Sequence, residues 1–246
     1  MSTYPAKLRY QGKVAENYDA SRQSSNKWLR EVEIIHGLLD SFQGNNSILD
    51  VPTGTGRFLN RYSNKRGNSI VGLDISVDML LQARKAFKKN NNCKIHLVQG
   101  ETEKLPLPDS SVDYVICMRL LNWVPLHILK LVLKEFLRVA RKKIVVEIRV
   151  SCQMNIKDFW GRWIIDFLKR RPWALSLFYK IKHYKKTSHP VVDTGYNIHR
   201  ETDIAAFFNE IGLYQNSQHL VDMKVSFGKR ELRPYYVYVL EPKKKY

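Results

Sequence analysis

The stretch that decides the fold is SILDVPTGTGRFLN, residues 47–60. Apolar strand-type residues surround Asp50, and Gly54 and Gly56 follow at close spacing before apolar residues return at helical spacing. A strand, a glycine loop and a helix start bring backbone N–H groups and a helix N-terminus against a ligand. A carboxylate at the strand end accepts hydrogen bonds from amine or hydroxyl groups. The stretch therefore predicts a nucleotide-type ligand site at the end of the first strand.

Two common phosphate-binding loops do not fit this stretch. A P-loop requires Lys and then Ser or Thr after its last glycine, and Arg57 and Phe58 stand there instead. The dinucleotide fingerprint requires a third glycine, and Leu59 occupies that position. An acid at Asp50 also suits a cationic end of a ligand better than a pyrophosphate. We therefore expect a ligand with a cationic end.

The composition is that of a globular chain with a basic surface. The chain has 246 residues, 44% of them hydrophobic, and a net charge of +18. This length suits one α/β domain with an insertion or two small domains, and the charge favours acidic partners. No apolar run approaches the roughly 18 to 20 residues of a membrane span, and the first residues lack the apolar region of a signal peptide. Three widely spaced cysteines show no metal-ligand pattern. We expect a cytoplasmic protein without a metal site, with peripheral contact to an anionic membrane left open.

Strand and helix patterns alternate along most of the chain. Strands are predicted at 47–51, 69–73, 94–98, 112–117, 143–150, 220–227 and 235–240, and helices at 27–41, 55–63, 76–89, 126–141 and 202–212. This alternation predicts an α/β, Rossmann-like fold with a seven-stranded, mostly parallel sheet and an antiparallel C-terminal hairpin. Ligands of such sheets bind beyond the carboxyl ends of the strands. Asp50, Asp74, Glu101 and Arg119 each follow a predicted strand and should therefore converge on one rim.

Residues 151–199 interrupt this alternation. Apolar residues recur there at three- and four-residue steps in two segments, with a basic stretch and Pro172 between them. We interpret the segment as an inserted helical hairpin, with an apolar face that includes Trp160 and Trp163. The chain is then a single domain, residues 1–246, that carries an inserted helical cap.

Four segments between residues 45 and 150 resemble a class I S-adenosylmethionine-dependent methyltransferase of the small-molecule type. The family begins with an acid and alternating glycines, D-x-G-x-G-x-G, and residues 50–56 match it except that Pro52 stands at the first glycine. An acid ends the second strand, here Asp74. The segments GETEKLPL, residues 100–107, and YVICMRLLNWV, residues 114–124, resemble the third and fourth family features. The resemblance implies the family's fold and S-adenosyl-L-methionine as the cofactor.

The resemblance also implies roles for single residues. Asp74 would accept hydrogen bonds from the ribose hydroxyls and Glu101 from the adenine amino group. The implied cofactor-binding residues are Arg22, Asp50, Thr53, Gly54, Gly56, Asp74, Ile75, Met79, Met118, Glu101 and Thr102. Residues 1–26 resemble the family's N-terminal lid, from which Arg22 would meet the cofactor carboxylate. The segment 151–199 would be the substrate cap.

The catalytic residues and the methyl acceptor stay open at this stage. Tyr18, Arg119, Trp160 and Trp163 are the substrate-side candidates, and His189, Tyr196 and His199 are candidates for a base, chosen by position alone. The function predicted first is methyl transfer to an oxygen or nitrogen of a small or medium acidic acceptor: a lipid, a saccharide or a metabolite.

Two alternatives to a small acceptor remain. Basic charge with interleaved aromatic residues also suits RNA or DNA. However, the chain lacks the Asn/Asp/Ser-Pro-Pro-aromatic signature, and Ile116 rather than proline precedes Cys117. The third reading is a non-catalytic cofactor-binding or interaction module. The sequence does not indicate an oligomeric state.

Overall fold

A computed structural model describes residues 7, 10–20, 22–42, 45–63, 67–87, 93–153, 197–226 and 231–243. Most of the predicted cap lies outside the described residues. Four of the candidate site residues lie outside them too: Trp160, Trp163, His189 and Tyr196.

Seven strands form one mixed sheet: β1 Ser47–Asp50, β2 Ser69–Asp74, β3 Lys94–Gln99, β4 Val112–Cys117, β5 Ala140–Gln153, β7 Leu213–Ser226 and β8 Glu231–Pro242. Their order across the sheet is β3-β2-β1-β4-β5-β8-β7. The first five pair in parallel, whereas β8 pairs antiparallel with both β5 and β7. A short strand, β6 His199–Arg200, pairs in parallel with β5. The predicted mostly parallel sheet with an antiparallel C-terminal hairpin is confirmed.

The described helices are α1 Lys13–Glu16, α2 Asn26–Ser41, α3 Leu59–Ser63, α4 Val77–Ala86, α5 Leu126–Val139 and α6 Glu201–Ile211. Two of them begin at serine caps, because a side-chain oxygen satisfies an otherwise unpaired amide. Ser25 Oγ accepts from Trp28 N, and Ser76 Oγ accepts from Met79 N. The second cap starts α4 two residues after Asp74, which places this acid at a loop between strand and helix. Among the described helices, none has the length and apolarity needed to cross a membrane.

Helices cover both faces of the sheet. On one face α5 and α6 bury Leu129, Phe136 and Phe207 against the strands. On the other face α2, α3 and α4 do so, for example with Ile35 and Leu59. Strands that are buried on both faces read as apolar runs, which is why the central strands could be recognised in the sequence.

The bounds of several elements differ from the sequence prediction: β5 and β8 extend further at both ends, and the largest difference is in β7. Strand β7 begins at Leu213 rather than at 220, because Gln215 and its polar neighbours pair with β8 at the edge of the sheet, where no apolar alternation is needed. Helix α3 begins only at Leu59. The preceding residues form turns, with Gly56 N donating to Thr53 O at 3.0 Å.

Gly56 is needed for the packing of the glycine loop on α4. Its φ is +78°, and a Cβ there would lie 2.9 Å from Leu59 Cδ1 and 3.1 Å from Ala83 Cα. Gly54 has a φ of +56°, but a Cβ there would meet nothing within 4 Å. A side chain would therefore be strained at either position, but only at position 56 would it also collide with neighbouring atoms.

We expect Gly56→Ala to lower the free energy of unfolding by about 2–4 kcal/mol, because overpacking adds to backbone strain. The matched variant Gly54→Ala should lose only about 1 kcal/mol, from strain alone. Urea unfolding of the ligand-free protein measures both values. Equal losses would contradict the packing role of Gly56.

Candidate active site

A cleft opens at the carboxyl ends of β1, β2 and β4. It encloses about 800 Å³ and is open to solvent. Nine of the residues predicted from the sequence line it: Tyr18, Asp50, Thr53, Gly54, Asp74, Ile75, Met79, Met118 and Arg119. The glycine loop, the end of β2 and the exit of β4 thus form one site, at the edge of the sheet where a parallel topology places ligands.

Asp50 is the buried carboxyl group at the end of β1. It is 2% exposed, and its Oδ2 accepts a hydrogen bond from Thr53 Oγ1 at 2.9 Å. Burial raises the pKa of Asp50 to about 7, although the Thr53 bond and the charge of Arg57 oppose the rise. Near neutral pH this group therefore changes between a neutral and a charged form, and a cationic ligand group would favour the charged one.

Asp74 joins the end of β2 to the glycine loop. Its Oδ1 accepts from Ser76 N and its Oδ2 from Gly54 N, both at 2.9 Å. Burial raises the pKa of Asp74, and these backbone hydrogen bonds oppose the rise. A carboxylate has about four acceptor positions, so Asp74 can still accept from hydroxyl groups of a ligand in the cleft.

The N-terminal segment contacts the loops that form the cleft, and its Lys7, Tyr10 and Tyr18 line it. Ser76 Oγ donates to Tyr10 O, and Thr55 Oγ1 donates to Asp19 Oδ1 at 2.8 Å. These contacts place the segment where a lid would lie. That it acts as a lid stays a prediction.

Glu101 and Thr102 do not line the cleft. Glu101 Oε2 lies 2.9 Å from Lys7 Nζ, and Lys7 is also 3.0 Å from Glu103 Oε1. Thr102 Oγ1 donates to Glu103 Oε2 at 3.1 Å. Lys7 was not predicted as a site residue, because its partner Glu101 lies 94 residues away and leaves no local signal in the sequence. The predicted adenine contact of Glu101 stays a prediction.

Three other predicted residues, Arg22, His199 and Gly56, also lie away from the cleft lining. Arg22 stacks over the ring of Tyr18 at 4.0 Å, and its Nη1 donates to Tyr18 O. His199 is buried in β6, and its Nε2 lies 3.3 Å from Leu121 O. Burial lowers the pKa of His199. Gly56 packs against α4, and its predicted contact with the cofactor stays a prediction.

A group of buried and partly buried charges lies behind the cleft, and the sequence did not predict that its members would meet. Glu31 of α2, 0% exposed, accepts from Arg57 Nη1 at 2.9 Å and from Arg119 Nε at 2.8 Å. Lys27 Nζ lies 3.6 Å from Glu31 Oε1 and 2.6 Å from Glu147 Oε1. We call these five residues the charge cluster. Burial raises the pKa of Glu31, the charge of Glu147 adds to the rise, and the three cations oppose it.

Arg119 is the member of the charge cluster that is best placed to meet a ligand. It lines the cleft, and its backbone adopts a φ of +62°. Glu147 Oε2 accepts from its backbone N at 3.1 Å, and Glu31 holds its Nε. Its terminal nitrogens make no hydrogen bond to any described residue. The guanidinium fork is therefore available to an anionic ligand group.

We expect Asp74→Ala to weaken binding of S-adenosylmethionine by about 100-fold or more, because two hydroxyl bonds to a charged acceptor are lost. Titration calorimetry measures this, with circular dichroism to confirm the fold. Asp109→Ala is the control, since that side chain is 79% exposed and pairs with Arg138 instead. Micromolar affinity retained by Asp74→Ala would contradict the assignment.

We also expect affinity for S-adenosylhomocysteine to fall as the pH drops below about 7, the pKa of Asp50. The ionised carboxylate of Asp50 binds the ammonium group of the ligand. Below the pKa of Asp50 this carboxyl group must first lose its proton, which costs about tenfold in affinity per pH unit. Calorimetric titrations between about pH 5 and pH 8 test this. Asp50→Asn should bind more weakly and show a flatter profile. An equally steep profile in that variant would assign the pH dependence to another group.

Comparison with known proteins agrees with this geometry. A family model described as a methyltransferase domain matches residues 48–143. Demethylmenaquinone methyltransferase of Bacillus licheniformis is 30% identical over 173 residues, which cover 70% of this chain and 72% of the relative. A malonyl-[acyl-carrier protein] O-methyltransferase of Hamiltonella defensa is 30% identical over 116 residues, 47% of this chain. The chain spans only 42% of that relative, and 58% of the corresponding enzyme of Marinomonas.

Solved structures share the fold at low sequence identity. A methyltransferase of Methanosarcina mazei superposes with a TM-score of 0.53 at 17% identity, covering 86% of this chain and 98% of that one. Magnesium protoporphyrin IX methyltransferase of Synechocystis, crystallised with S-adenosylmethionine, gives a TM-score of 0.53 at 12% identity, covering 97% and 89%. These likenesses concern the fold alone.

The residues that line the cleft fit this cofactor. Asp74 offers free acceptor positions to a ribose, Asp50 offers a carboxylate to an ammonium group, and Gly54 leaves open space where a Cβ would stand. The chain belongs to the class I S-adenosylmethionine-dependent methyltransferases, and its cofactor is S-adenosyl-L-methionine.

Proposed function

We propose that this protein transfers a methyl group to an oxygen of a small or medium acidic acceptor, and that this oxygen belongs to a carboxylate. The observation that carries the proposal is Arg119, whose guanidinium lines the cleft while Glu31 occupies only its Nε. Arg57 lines the same cleft. The cofactor brings one carboxylate, so one of the two guanidinium groups is left for the acceptor.

A carboxylate acceptor also agrees with the titratable groups around the cleft. An alcohol or amine acceptor has to lose a proton, which requires a base within hydrogen-bond reach. Among the described residues that line the cleft there is no histidine, and Asp50 and Asp74 are assigned to the cofactor. Tyr10 and Tyr18 also line it, but a neutral phenol accepts a proton much less readily than an imidazole or a carboxylate. A carboxylate is already ionised at neutral pH and needs no base, and the fork of Arg119 can bind it through two parallel hydrogen bonds.

The protein's contribution to the reaction is then mainly positioning. When bound, S-adenosylmethionine supplies a methyl group on a positively charged sulfur. Arg119 holds the acceptor carboxylate, and the apolar side chains of Met118, Leu120 and Trp123 form the wall beside it. Holding two reactants in line in a site that excludes water accounts for much of the rate enhancement in reactions of this kind.

The names of the relatives support the choice of oxygen. Two of them are malonyl-[acyl-carrier protein] O-methyltransferases, and another acts on demethylmenaquinone. The first name specifies an oxygen acceptor. The second name gives no acceptor atom, and it is compatible with a lipid-like acceptor.

We expect the purified protein, given cofactor labelled in the methyl group and an extract of metabolites, lipids and nucleic acids, to form a labelled product from which mild alkali releases methanol. Methyl esters of carboxylates are cleaved under these conditions, whereas ethers and N-methyl groups are not. Alkali-stable label in small molecules would contradict the carboxylate. Label that nucleases release would favour the nucleic-acid alternative, and a folded protein that binds no cofactor would favour the non-catalytic module.

Arg119→Lys is the variant that tests the acceptor contact. Lysine keeps a positive charge against Glu31 but loses the planar fork. We expect about tenfold slower transfer, the equivalent of one charge-assisted hydrogen bond, with cofactor affinity unchanged. Cofactor affinity that falls as much as transfer would assign Arg119 to the cofactor carboxylate instead.

A further inference from the structure

Arg149 is a buried cation that lies outside the cofactor cleft. It belongs to β5, is 7% exposed, and its Nε makes no hydrogen bond. Its guanidinium lies 4.9 Å from the centre of the Tyr235 ring, and Tyr235 is the residue of β8 that pairs directly with Arg149. No carboxylate of the described residues lies within ion-pair distance of it. The ring contact is therefore the interaction that the described structure provides for this charge.

The carboxylates nearest to Arg149 along the strand are already occupied. Glu147 lies on the same face of β5, two residues earlier, but it accepts from Arg119 N and contacts Lys27 Nζ. Lys27 also lies over the Tyr235 ring, at 3.8 Å. The charge cluster and Arg149 together hold four cations against two carboxylates. This region therefore has an excess of positive charge.

A buried guanidinium whose Nε has no hydrogen-bond partner, and which has no carboxylate partner among the described residues, is costly, and this cost cannot be relieved by loss of a proton. Such a group persists where a ligand completes it. Arg149 lies on the side of the sheet where ligands bind, beyond the carboxyl end of β4. Val146 is the last residue of β5 to pair with β4, and Arg149 lies three residues after it. Its backbone N donates to Asn122 Oδ1, beside Trp123 of the cleft lining.

We propose that Arg149, with the ring of Tyr235, forms a second anion-binding subsite that takes a carboxylate or phosphate group of the methyl acceptor. This inference rests on the proposed function and narrows it. Because Arg149 does not line the cofactor cleft, the group that it binds is distinct from the carboxylate that receives the methyl group. The acceptor is then a molecule with two anionic groups.

The subsite can be tested without the natural acceptor. The full chain is saturated with S-adenosylhomocysteine, and its thermal unfolding is followed with added inorganic phosphate, glutarate or butyrate at constant ionic strength. We expect phosphate or glutarate to raise the melting temperature in a saturable way and butyrate, which has one carboxylate, to do so more weakly. The stronger of the two responses identifies the anionic group. No response to either phosphate or glutarate would overturn the proposal.

Arg149→Met is the decisive variant, and Arg141→Met is its matched control. Arg141 lies on the same strand, near the opposite edge of the sheet, and pairs with Asp113. The Arg149 variant should lose the response to anions, with apparent affinity at least about tenfold weaker, while the control keeps it. Without anions, the Arg149 variant should melt at or above the wild-type temperature, since an unpaired buried charge has been removed. A lower melting temperature with an unchanged anion response would show a purely structural role.

These readouts separate the subsite from the proposed function. Anion binding is measured without methyl transfer, and the alkali test of the methylated product does not involve Arg149. Arg149→Lys, which keeps the charge, should restore part of the anion response. If Arg149→Lys responded to anions no better than Arg149→Met, a role for the charge would be contradicted.

Discussion

The walls of the cleft depend on the burial of one carboxylate, that of Glu31. Its oxygens accept from Arg57 in the glycine loop and from Arg119 at the exit of β4, so one side chain of α2 holds two separate loops. An unpaired carboxylate at this depth would be strongly destabilising. Both arginines therefore favour the docking of helix α2 on the sheet, because they offset the cost of burying Glu31. That these arginines line the cleft follows from the way in which Glu31 is buried.

The same arrangement sets the chemistry that the cleft favours. Lys27 and Glu147 extend the ion pairs of Glu31 towards Arg149, and the cations are held in surroundings with little water. Electrostatic attraction is stronger there than in bulk solvent. A family fold is compatible with many acceptors, so the acceptor has to be inferred from such residues and not from the cofactor motifs. In this chain they favour an anionic acceptor.

The cofactor side of the site could be predicted because its signals are local. Asp50 and Asp74 each end an apolar strand run, and Ser76 follows as a cap, so their positions depend on neighbours in the sequence. Glu31 gave no such signal, because an acid in an amphipathic helix usually faces solvent. Lys7 also could not be anticipated, since its partner Glu101 is distant in the chain. The limits of β7 were missed for a related reason: its first half is stabilised by pairing with β8 and not by an apolar pattern.

The amino-acid sequence by itself determined the order of strands and helices, the family, and two acids that line the cleft, Asp50 and Asp74. These features depend on periodic burial and on the residues of short loops, and both can be recognised within about ten consecutive residues. The tertiary structure decided which charges meet: Glu31 with Arg57 and Arg119, and Arg149 with a tyrosine ring but with no carboxylate of the residues that the structure describes. Pairings of this kind join segments that are far apart in the chain, and desolvation selects them only once the sheet and its helices have packed.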